Sequence, residues 1–217
     1  MRTVLCFGDS ITWGYNAADG SRFPWEARWP GVLASTLGNG FRVVEEGLSG
    51  RTTMSDPPFL DGRSAKAVHP IVLETHSPVD AVLIMLGTND LQPVLRLTVE
   101  EIGWGCAGLL RTTALSRFGP GGAPPRTLLI TPPPLGVLKG AMASAFVGRE
   151  ADSRRMHEVY RRWRPCSAPP PSRREPCAPP VPMTESTSTR PVSWPRVRPS
   201  RHPSGRCSGE PSLPINP

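Results

Sequence analysis

The sequence predicts an α/β fold, namely a three-layer α/β/α sandwich built on a doubly wound parallel sheet. Four apolar stretches of strand length alternate along the chain with segments of helical spacing, which is the pattern of consecutive β-α units. Three of these apolar stretches run directly into polar loops that contain glycine. One stretch, residues 80–86, is apolar at nearly every position, as expected for a strand covered on both faces.

The predicted strands share a high content of Val, Leu, Ile and Phe, which favours extended backbone. They occupy residues 3–7, 41–45, 80–86 and 127–131. Three consecutive prolines at 132–134 end the last of them, because proline cannot donate to a strand ladder.

Four further segments have the spacing of amphipathic helices. They occupy residues 29–37, 64–75, 98–113 and 151–162. Thr98 and Glu101 form a capping box that marks the start of the third helix. Pro70 lies inside the second helix, and we expect it to break or kink that helix because proline lacks the N–H group. The last helix has an apolar side that holds Met156, Val159 and Tyr160.

The positive charge of the chain is concentrated at its C-terminal end. The 217 residues carry a formal net charge of +7, of which +5 falls on residues 163–217 and +2 on residues 1–162. A nucleic-acid-binding domain carries clustered Lys and Arg on its folded surface. The charge of residues 1–162 is instead ordinary for an enzyme, so the sequence predicts no nucleic-acid partner.

Residues 163–217 have the composition of a disordered tail. They contain fifteen of the 28 prolines, nine serines, one Leu and one Ile. Such a segment buries too little apolar surface to offset the entropy of ordering. We therefore predict a folded domain at residues 1–162 and a disordered tail at residues 163–217. An open-sheet fold that stops at residue 162 lacks its C-terminal strand and helix.

The N-terminus enters the first strand without a charged region followed by an apolar one, so no secretory signal is visible. No apolar run approaches the roughly 20 residues of a membrane span, and we expect a cytoplasmic protein without membrane contact. The cysteine spacings match neither a metal site nor a disulfide framework. Cys6 and Cys106 are predicted to be buried thiols. The predicted tail holds the other three, Cys166, Cys177 and Cys207.

Ser10 is the candidate nucleophile. It ends the triplet Gly8-Asp9-Ser10 directly after the first strand, and parallel α/β sheets bind their ligands at the carboxyl ends of strands. Gly47-Leu48-Ser49-Gly50 follows the second strand, and Gly87-Thr88-Asn89-Asp90 follows the third. The three loops are therefore expected at one edge of one sheet.

With these three blocks in order, residues 1–162 resemble the GDSL, or SGNH, hydrolase family, and most closely its arylesterase/acyltransferase branch. The resemblance implies a flavodoxin-like SGNH fold and a serine esterase that cleaves small carboxylic esters through an acyl-Ser10 intermediate. It also implies an oxyanion hole formed by the backbone N–H groups of Ser10 and Gly50 and the side-chain amide of Asn89. A glycine at position 50 would leave room for close approach of the substrate, and an amide donates a hydrogen bond without carrying charge.

The same resemblance implies no metal and no cofactor, and it allows a homo-oligomer for an intact family member. The acyl group could pass to water or to an alcohol. Within this class a carbohydrate deacetylase and a lysophospholipase stay open, because the shape of the acyl pocket depends on the loops at 15–29 and 132–149. Aromatic residues of the first loop could line that pocket or pack on the domain.

The catalytic base is not visible in the sequence. The family carries an Asp three residues before a His in its last block, and none of the four histidines stands in such a pattern. We interpret His69, His76 and His157 as surface or packing residues, and His202 lies in the predicted tail without an Asp nearby. The triad is therefore incomplete as the sequence stands.

A reading-frame shift would account for the missing block. Met183 is encoded only by ATG, so the codons of Met183 and Thr184 read one base out of register give GAC, an Asp codon. The next shifted codons permit Gly, then Val or Ile, then His, which completes Asp-x-x-His. The same shift permits Val-Ala-Ala-Leu-Leu-Gly at residues 163–168, a plausible continuation of the last helix. We favour a frameshifted tail over a natural Pro/Arg/Ser-rich one.

Two hypotheses of different class follow. In the first, the chain is a serine esterase or acyltransferase that is impaired because its base is missing. In the second, it is a catalytically inactive remnant of the fold, or a binding module with a basic disordered tail.

Overall fold

The computed structural model describes residues 1–163, and their core is a parallel sheet of four strands. The strands are β1 (Arg2–Gly8), β2 (Phe41–Gly47), β3 (Ala81–Met85) and β4 (Arg126–Leu129). Their order across the sheet is β2-β1-β3-β4. Since all neighbouring pairs are parallel, the predicted α/β class with a doubly wound parallel sheet is confirmed.

The register of the strands brings three chain segments to one edge of the sheet. Gly8 at the end of β1 pairs with Gly47 at the end of β2 and with Met85 at the end of β3. The first connection leads from β1 to its neighbour β2 on one side, and the next leads from β2 to β3 on the other side of β1. The switch point of the topology therefore lies between β1 and β3. Ligands of open α/β sheets bind outside the carboxyl ends of the strands at such a point.

Six helices accompany the sheet in the described part of the chain. They are α1 (Ser10–Trp13), α2 (Trp29–Leu37), α3 (Ala65–Thr75), α4 (Val99–Leu115), α5 (Gly140–Ala145) and α6 (Glu150–Tyr160). The predicted capping box at the start of α4 is confirmed, because the Thr98 hydroxyl accepts from the Glu101 N–H while the Glu101 carboxylate accepts from the Thr98 N–H. The predicted apolar side of α6 is confirmed too, since Met156, Val159 and Tyr160 are all buried.

The expected break of α3 at Pro70 is wrong, because this helix runs without interruption from Ala65 to Thr75. The alternative, a kink at Pro70, stays a prediction. Two turns of the helix hold buried residues on the side that faces the sheet, among them His69 and Leu73. Tertiary packing of that side outweighs the hydrogen bond that Pro70 cannot donate, as packing often outweighs local propensity.

Two apolar clusters hold the layers together. The first joins Leu5 and Phe7 of β1 to Ile84 of β3, Leu73 of α3 and Leu109 of α4. The second lies between α4 and α6 and contains Ile102, Cys106, Met156, Val159 and Tyr160. Cys6 and Cys106 are free buried thiols, as predicted.

Several sequence predictions concern residues outside the described range. These are the disordered character of the tail beyond residue 163, its three cysteines, His202, the shifted Asp-x-x-His block at residues 183–187 and the absent C-terminal strand and helix.

Candidate active site

Ser10 begins a single helical turn immediately beyond the central strand. Asp9 caps this turn, because its Oδ1 accepts a hydrogen bond from the Ile11 N–H at 2.9 Å. The side chain of Ser10 is half-buried, and within residues 1–163 its hydroxyl forms no hydrogen bond. The hydroxyl is therefore fixed in position by the backbone while its oxygen stays available to a substrate.

Gly47 lets the Ser10 turn pack directly on the end of β2. A Cβ atom at Gly47 would lie 2.2 Å from the backbone nitrogen of Trp13, which real side chains do not tolerate. The Leu48 N–H also donates to the Gly8 carbonyl at 3.1 Å. The first and second motif loops are thus in direct backbone contact.

Gly50 occupies a left-handed conformation in the second loop, with φ of 81°. A Cβ atom there would meet its nearest neighbours, on Arg63 and Leu60, at 3.5 Å, which is ordinary van der Waals contact. The backbone conformation therefore requires glycine at this position, since other residues adopt it at a cost. The positive φ is thus a reason for glycine that adds to the one expected from the sequence, and space for a substrate stays a prediction.

Asn89 is buried at the start of the third motif loop. Its Nδ2 donates to the carbonyl oxygen of Arg51 at 3.0 Å. That contact uses one of the two amide hydrogens and leaves the second for another acceptor. Because Arg51 follows Gly50, the contact also brings the second and third loops together.

Arg51 is a buried arginine that the sequence reasoning did not identify. Its Nη1 donates to the carbonyl oxygen of Gly8 at 2.8 Å and also to that of Glu46. The guanidinium carbon lies 4.3 Å from the centre of the Phe7 ring. Burial lowers the pKa of Arg51 to about 10, so it stays charged near neutral pH and ties the ends of β1 and β2 to the second loop.

Asp90 is a second buried charged residue that the sequence reasoning left without a role. Its two carboxylate oxygens lie 3.0 and 3.1 Å from the Thr53 backbone nitrogen, and Oδ1 accepts from the Thr53 hydroxyl at 2.5 Å. Burial raises the pKa of Asp90 to about 6. Thr53 follows the second motif and Asp90 ends the third, and only the folded chain brings these two residues, which are 37 positions apart, into contact.

Asp9 presents a buried carboxyl oxygen beneath the nucleophile. Its Oδ2 has no hydrogen-bond partner among the described residues, and the same holds for the Thr88 hydroxyl. Burial raises the pKa of Asp9 to about 7, and repulsion from Asp90 acts in the same direction. A proton on Asp9 therefore lowers the cost of burying this carboxyl.

None of the three described histidines hydrogen-bonds to Ser10 within residues 1–163. His69 is fully buried, its Nε2 lies 2.8 Å from the Thr113 hydroxyl, and burial lowers its pKa to about 4. His76 pairs with Glu46 at 2.8 Å. His157 is exposed, and its Nδ1 lies 2.7 Å from the carbonyl oxygen of Arg154 in its own helix. The interpretation of all three as packing or surface residues agrees with these contacts.

The loop at 15–29 is anchored beside the Ser10 turn by charge and aromatic contacts. Arg22 and Arg28 both pair with Glu45 of β2, at 2.8 and 2.5 Å. The indole nitrogen of Trp29 lies 3.2 Å from the Thr12 hydroxyl. Trp29 of this loop therefore packs on the domain, which is one of the two roles that the sequence allows for its aromatic residues.

The loop at 132–149 contains α5 and forms an open cavity of about 640 Å³ with α6. The lining is mainly apolar, with Glu150 and Arg154 at its border. Ser10, Gly50 and Asn89 are not among the lining residues. This cavity is thus separate from the motif loops.

In the described part of the chain, no group of three or more His, Cys, Asp and Glu side chains is arranged to hold a metal ion. None of the described helices combines the length and the apolar character needed to cross a membrane.

Comparison with known families decides the class of the protein. Residues 6–164 match the model of the GDSL-like lipase/acylhydrolase family. The chain belongs to this family. It is accordingly a carboxylic ester hydrolase of the SGNH type.

Solved structures of similar proteins agree with this assignment. Est24, a carbohydrate acetylesterase from Sinorhizobium meliloti, is 37% identical over 74% of this chain and 78% of its own, with a TM-score of 0.71. The aryl esterase of M. smegmatis is 39% identical over the same shares, with a TM-score of 0.70. A search of curated protein sequences returned no match. This GDSL-like acylhydrolase therefore shares both fold and sequence with solved esterases.

Proposed function

We propose that this acylhydrolase cleaves small carboxylic esters through an acyl-Ser10 intermediate, with Ser10, Gly50 and Asn89 supplying the oxyanion hole. The observation that carries the proposal is the register of the strand ends, in which Gly8 pairs with both Gly47 and Met85. Ser10, Gly50 and Asn89 each follow one of these ends by two to four residues. The Asn89–Arg51 contact then joins the loops that hold the two donors.

The chemistry needs one nucleophile, one base and a set of donors. The Ser10 oxygen attacks the ester carbonyl carbon, its proton passes to a base, and the carbonyl oxygen becomes an oxyanion. The N–H groups of Ser10 and Gly50 and the free hydrogen of the Asn89 amide would donate to that oxyanion. Collapse of the tetrahedral intermediate breaks the ester C–O bond, and the alcohol leaves with the proton that the base holds. Water or a second alcohol then takes the acyl group, and the Ser10 oxygen recovers its proton through the base.

Esters with short acyl groups are the proposed substrates. The two solved relatives are a carbohydrate acetylesterase and an aryl esterase, and an acetylesterase removes an acetyl group, which is a short acyl group. We therefore propose aryl and sugar acetates for this chain. Transfer of the acyl group to an alcohol is proposed as a side reaction of the same intermediate.

We propose in addition that the chain is an impaired catalyst. Each described histidine forms a hydrogen bond with a residue other than Ser10. These contacts support the proposal that the base is missing. The frameshift hypothesis supplies an Asp-x-x-His block at residues 183–187, outside the described range. Ser10 would then attack without a base to take its proton, and since general base catalysis contributes ~10²–10⁴-fold, the chain should be slower than an intact family member by such a factor.

Other properties stay part of the proposal. We infer a folded domain of residues 1–162 with an atypical tail, a small ester as the main partner and a homo-oligomer for the intact family member. A cytoplasmic location is supported by the free thiols of Cys6 and Cys106, because disulfides are rare in that compartment.

The experiment that tests the proposal is turnover of p-nitrophenyl acetate by the native chain and by Ser10→Ala. The variant is expected to lose the hydrolysis that passes through Ser10 and to keep only the residual rate that the oxyanion hole and binding supply. It should also keep its thermal midpoint, because the Ser10 hydroxyl makes no hydrogen bond in the described structure. Mass spectrometry should also find an organophosphonate adduct on the peptide of Ser10 in the native chain alone.

A matched control is Ser35→Ala, since Ser35 is an exposed serine of α2 that bonds only to the Val32 carbonyl of its own helix. It should leave the rate unchanged. An equal rate for the native chain and Ser10→Ala would remove Ser10 as the nucleophile.

The second candidate, a catalytically inactive remnant or a binding module with a basic tail, is favoured by the same histidine contacts. The two candidates differ in one readout. A native chain with no hydrolysis above background and no adduct on Ser10 would support the second.

A further inference from the structure

The loop that carries Gly50 is fastened to the loop that carries Asn89 by a buried carboxylate. We call residues 50–53 the Gly50 loop and residues 87–91 the Asn89 loop. Asp90 has no exposed surface, and its carboxylate binds both the N–H and the hydroxyl of Thr53. Hydrogen bonds to an ionised acceptor are about twice as strong as neutral ones. This contact is therefore the strongest link between the two loops in the described structure.

The Gly50 loop has a second, neutral link to the Asn89 loop, from the Asn89 amide to the Arg51 carbonyl at 3.0 Å. One link is made by Thr53 and the other by Arg51, so the two links hold different points of the same short loop. Neither link involves Gly50 itself, and the Gly50 N–H has no hydrogen-bond acceptor within residues 1–163. Gly50 is thus held through its neighbours.

The Asn89 loop is itself braced from behind. The Tyr160 hydroxyl of α6 donates to the Leu86 carbonyl at 2.8 Å, where β3 ends and the loop begins. A Cβ atom at Gly87 would lie 2.1 Å from that hydroxyl oxygen. The Asn89 loop is therefore the fixed part, and the Gly50 loop is positioned against it.

We propose that Asp90 is a positioning residue of the ester hydrolysis, because it sets the Gly50 N–H relative to the Asn89 amide through its bonds to Thr53. This inference rests on the proposed function, in which those two groups are oxyanion donors. Asp90 would not touch the substrate and would act only through the two loops.

The physical reason is that the two donors sit on different loops and must converge on one oxygen atom. Donors stabilise an oxyanion when they lie about 2.7–3.1 Å from its position. A displacement of about 1 Å can cost ~10²-fold in rate. Loss of the carboxylate should therefore lower kcat and leave the substrate affinity nearly unchanged.

The test compares Asp90→Asn, Asp90→Ala, Thr53→Val and Thr53→Ser in the full chain, with p-nitrophenyl acetate as substrate. We expect kcat to fall by ~10-fold for Asp90→Asn and by ~10²-fold for Asp90→Ala, with KM within about threefold of the native value. The kcat of Thr53→Val should fall several fold, whereas Thr53→Ser keeps both donors and should have the native kcat. The double variant Asp90→Ala/Thr53→Val should be no slower than Asp90→Ala, since the two residues act as one contact.

Asp80→Asn is the matched control. The Asp80 carboxylate also accepts a backbone N–H bond, from Thr3 at 2.7 Å, but it lies at the opposite end of β3. Its replacement should lower stability without changing kcat. Hydrogen exchange of residues 47–54 gives a readout that does not need activity, and exchange there should accelerate in both Asp90 variants and not in the control.

Each outcome has one meaning. Unchanged exchange in the Asp90 variants overturns the positioning inference whatever the rates are. Faster exchange with unchanged kcat, in a protein whose activity requires Ser10, also overturns it and leaves the proposed function standing. Faster exchange together with a rate that does not depend on Ser10 overturns the proposed function and leaves the contact between the two loops established.

Discussion

Asn89 is the single residue whose replacement tests the oxyanion hole most simply. Asn89→Ala removes the proposed donor and frees the Arg51 carbonyl of its partner. We expect the hydrolysis rate to fall by ~10²-fold or more, as loss of one oxyanion donor does in other hydrolases. Steady-state kinetics with p-nitrophenyl acetate measure the effect.

The control for that change is Asn39→Ala, at an exposed asparagine in the turn before β2. It should leave both kinetic constants unchanged. If Asn89→Ala raises KM and leaves kcat unchanged, Asn89 is a substrate-binding residue instead of an oxyanion donor.

The raised pKa of Asp9 predicts a pH-dependent stability. Burial raises this pKa to about 7 from 3.8, so between about pH 4 and pH 7 the folded chain holds a proton that the unfolded chain has lost. The contribution of Asp9 to stability therefore falls as the pH rises through this window. Asp9→Asn should match the native stability near pH 4 and exceed it at pH 8 by roughly 4 kcal/mol, because the pKa of Asp9 is about 7 in the folded chain and 3.8 ordinarily.

Urea denaturation of the native chain and Asp9→Asn at both pH values measures this difference. His69 acts in the opposite direction, because burial lowers its pKa to about 4 and stability is lost as the pH falls below the value for the unfolded chain. His69 is present in both proteins, so its contribution cancels in the comparison. An equal difference at pH 4 and pH 8 would contradict the raised pKa of Asp9.

The sequence identifies the residues that end the strands better than those that brace them. Ser10, Gly50 and Asn89 each follow an apolar run, and parallel strands bring such positions to one edge. Arg51 and Asp90 could not be assigned in this way, because burial of a charge depends on partners far along the chain. Thr53 and Asp90, for example, are 37 positions apart.

At the scale of secondary structure, Pro70 carries the clearest prediction. It lies in the interior of α3, where it cannot donate the hydrogen bond that a helical residue makes to the carbonyl four positions earlier. Pro70→Ala restores that bond, and proline costs about 3 kcal/mol relative to alanine in a helix interior. We expect a gain of roughly 1–3 kcal/mol in the free energy of unfolding, measured with urea.

Pro58→Ala provides the comparison, because Pro58 is an exposed loop proline. That change should stabilise nothing and could only increase the entropy of the unfolded chain. A destabilised Pro70→Ala would mean that the ring of Pro70 contributes more by packing than its missing bond costs.

Short elements account for most of what the sequence did not predict. The turn of α1 has four residues and α5 has six, so neither shows a helical period. The α1 turn depends on the Asp9 cap and on Gly14, whose N–H donates to the Ser10 carbonyl from a left-handed conformation. The longer helices α2, α4 and α6 are predicted correctly from the sequence, because their apolar spacing extends over several turns.

For the whole molecule, the alternation of strands and helices predicts the class but not the order of the strands. Right-handed crossovers favour a parallel doubly wound sheet, whereas the central place of β1 depends on its pairing with both β2 and β3. Leu128 of β4 is 52% exposed although it lies in an apolar stretch of strand length. Burial of a strand is decided by what packs beside it, which a run of apolar residues alone does not specify.

The most direct test of the account compares this polypeptide with one whose reading frame is corrected by one base after the codon for Arg162, each with its Ser10→Ala partner. General base catalysis contributes ~10²–10⁴-fold, so p-nitrophenyl acetate hydrolysis should be faster by such a factor in the corrected chain. Both Ser10→Ala partners should fall to the same low residual rate, which the oxyanion hole and binding supply. Equal rates for the two chains with Ser10 intact would contradict the account, and the base would then be one of the four histidines already present.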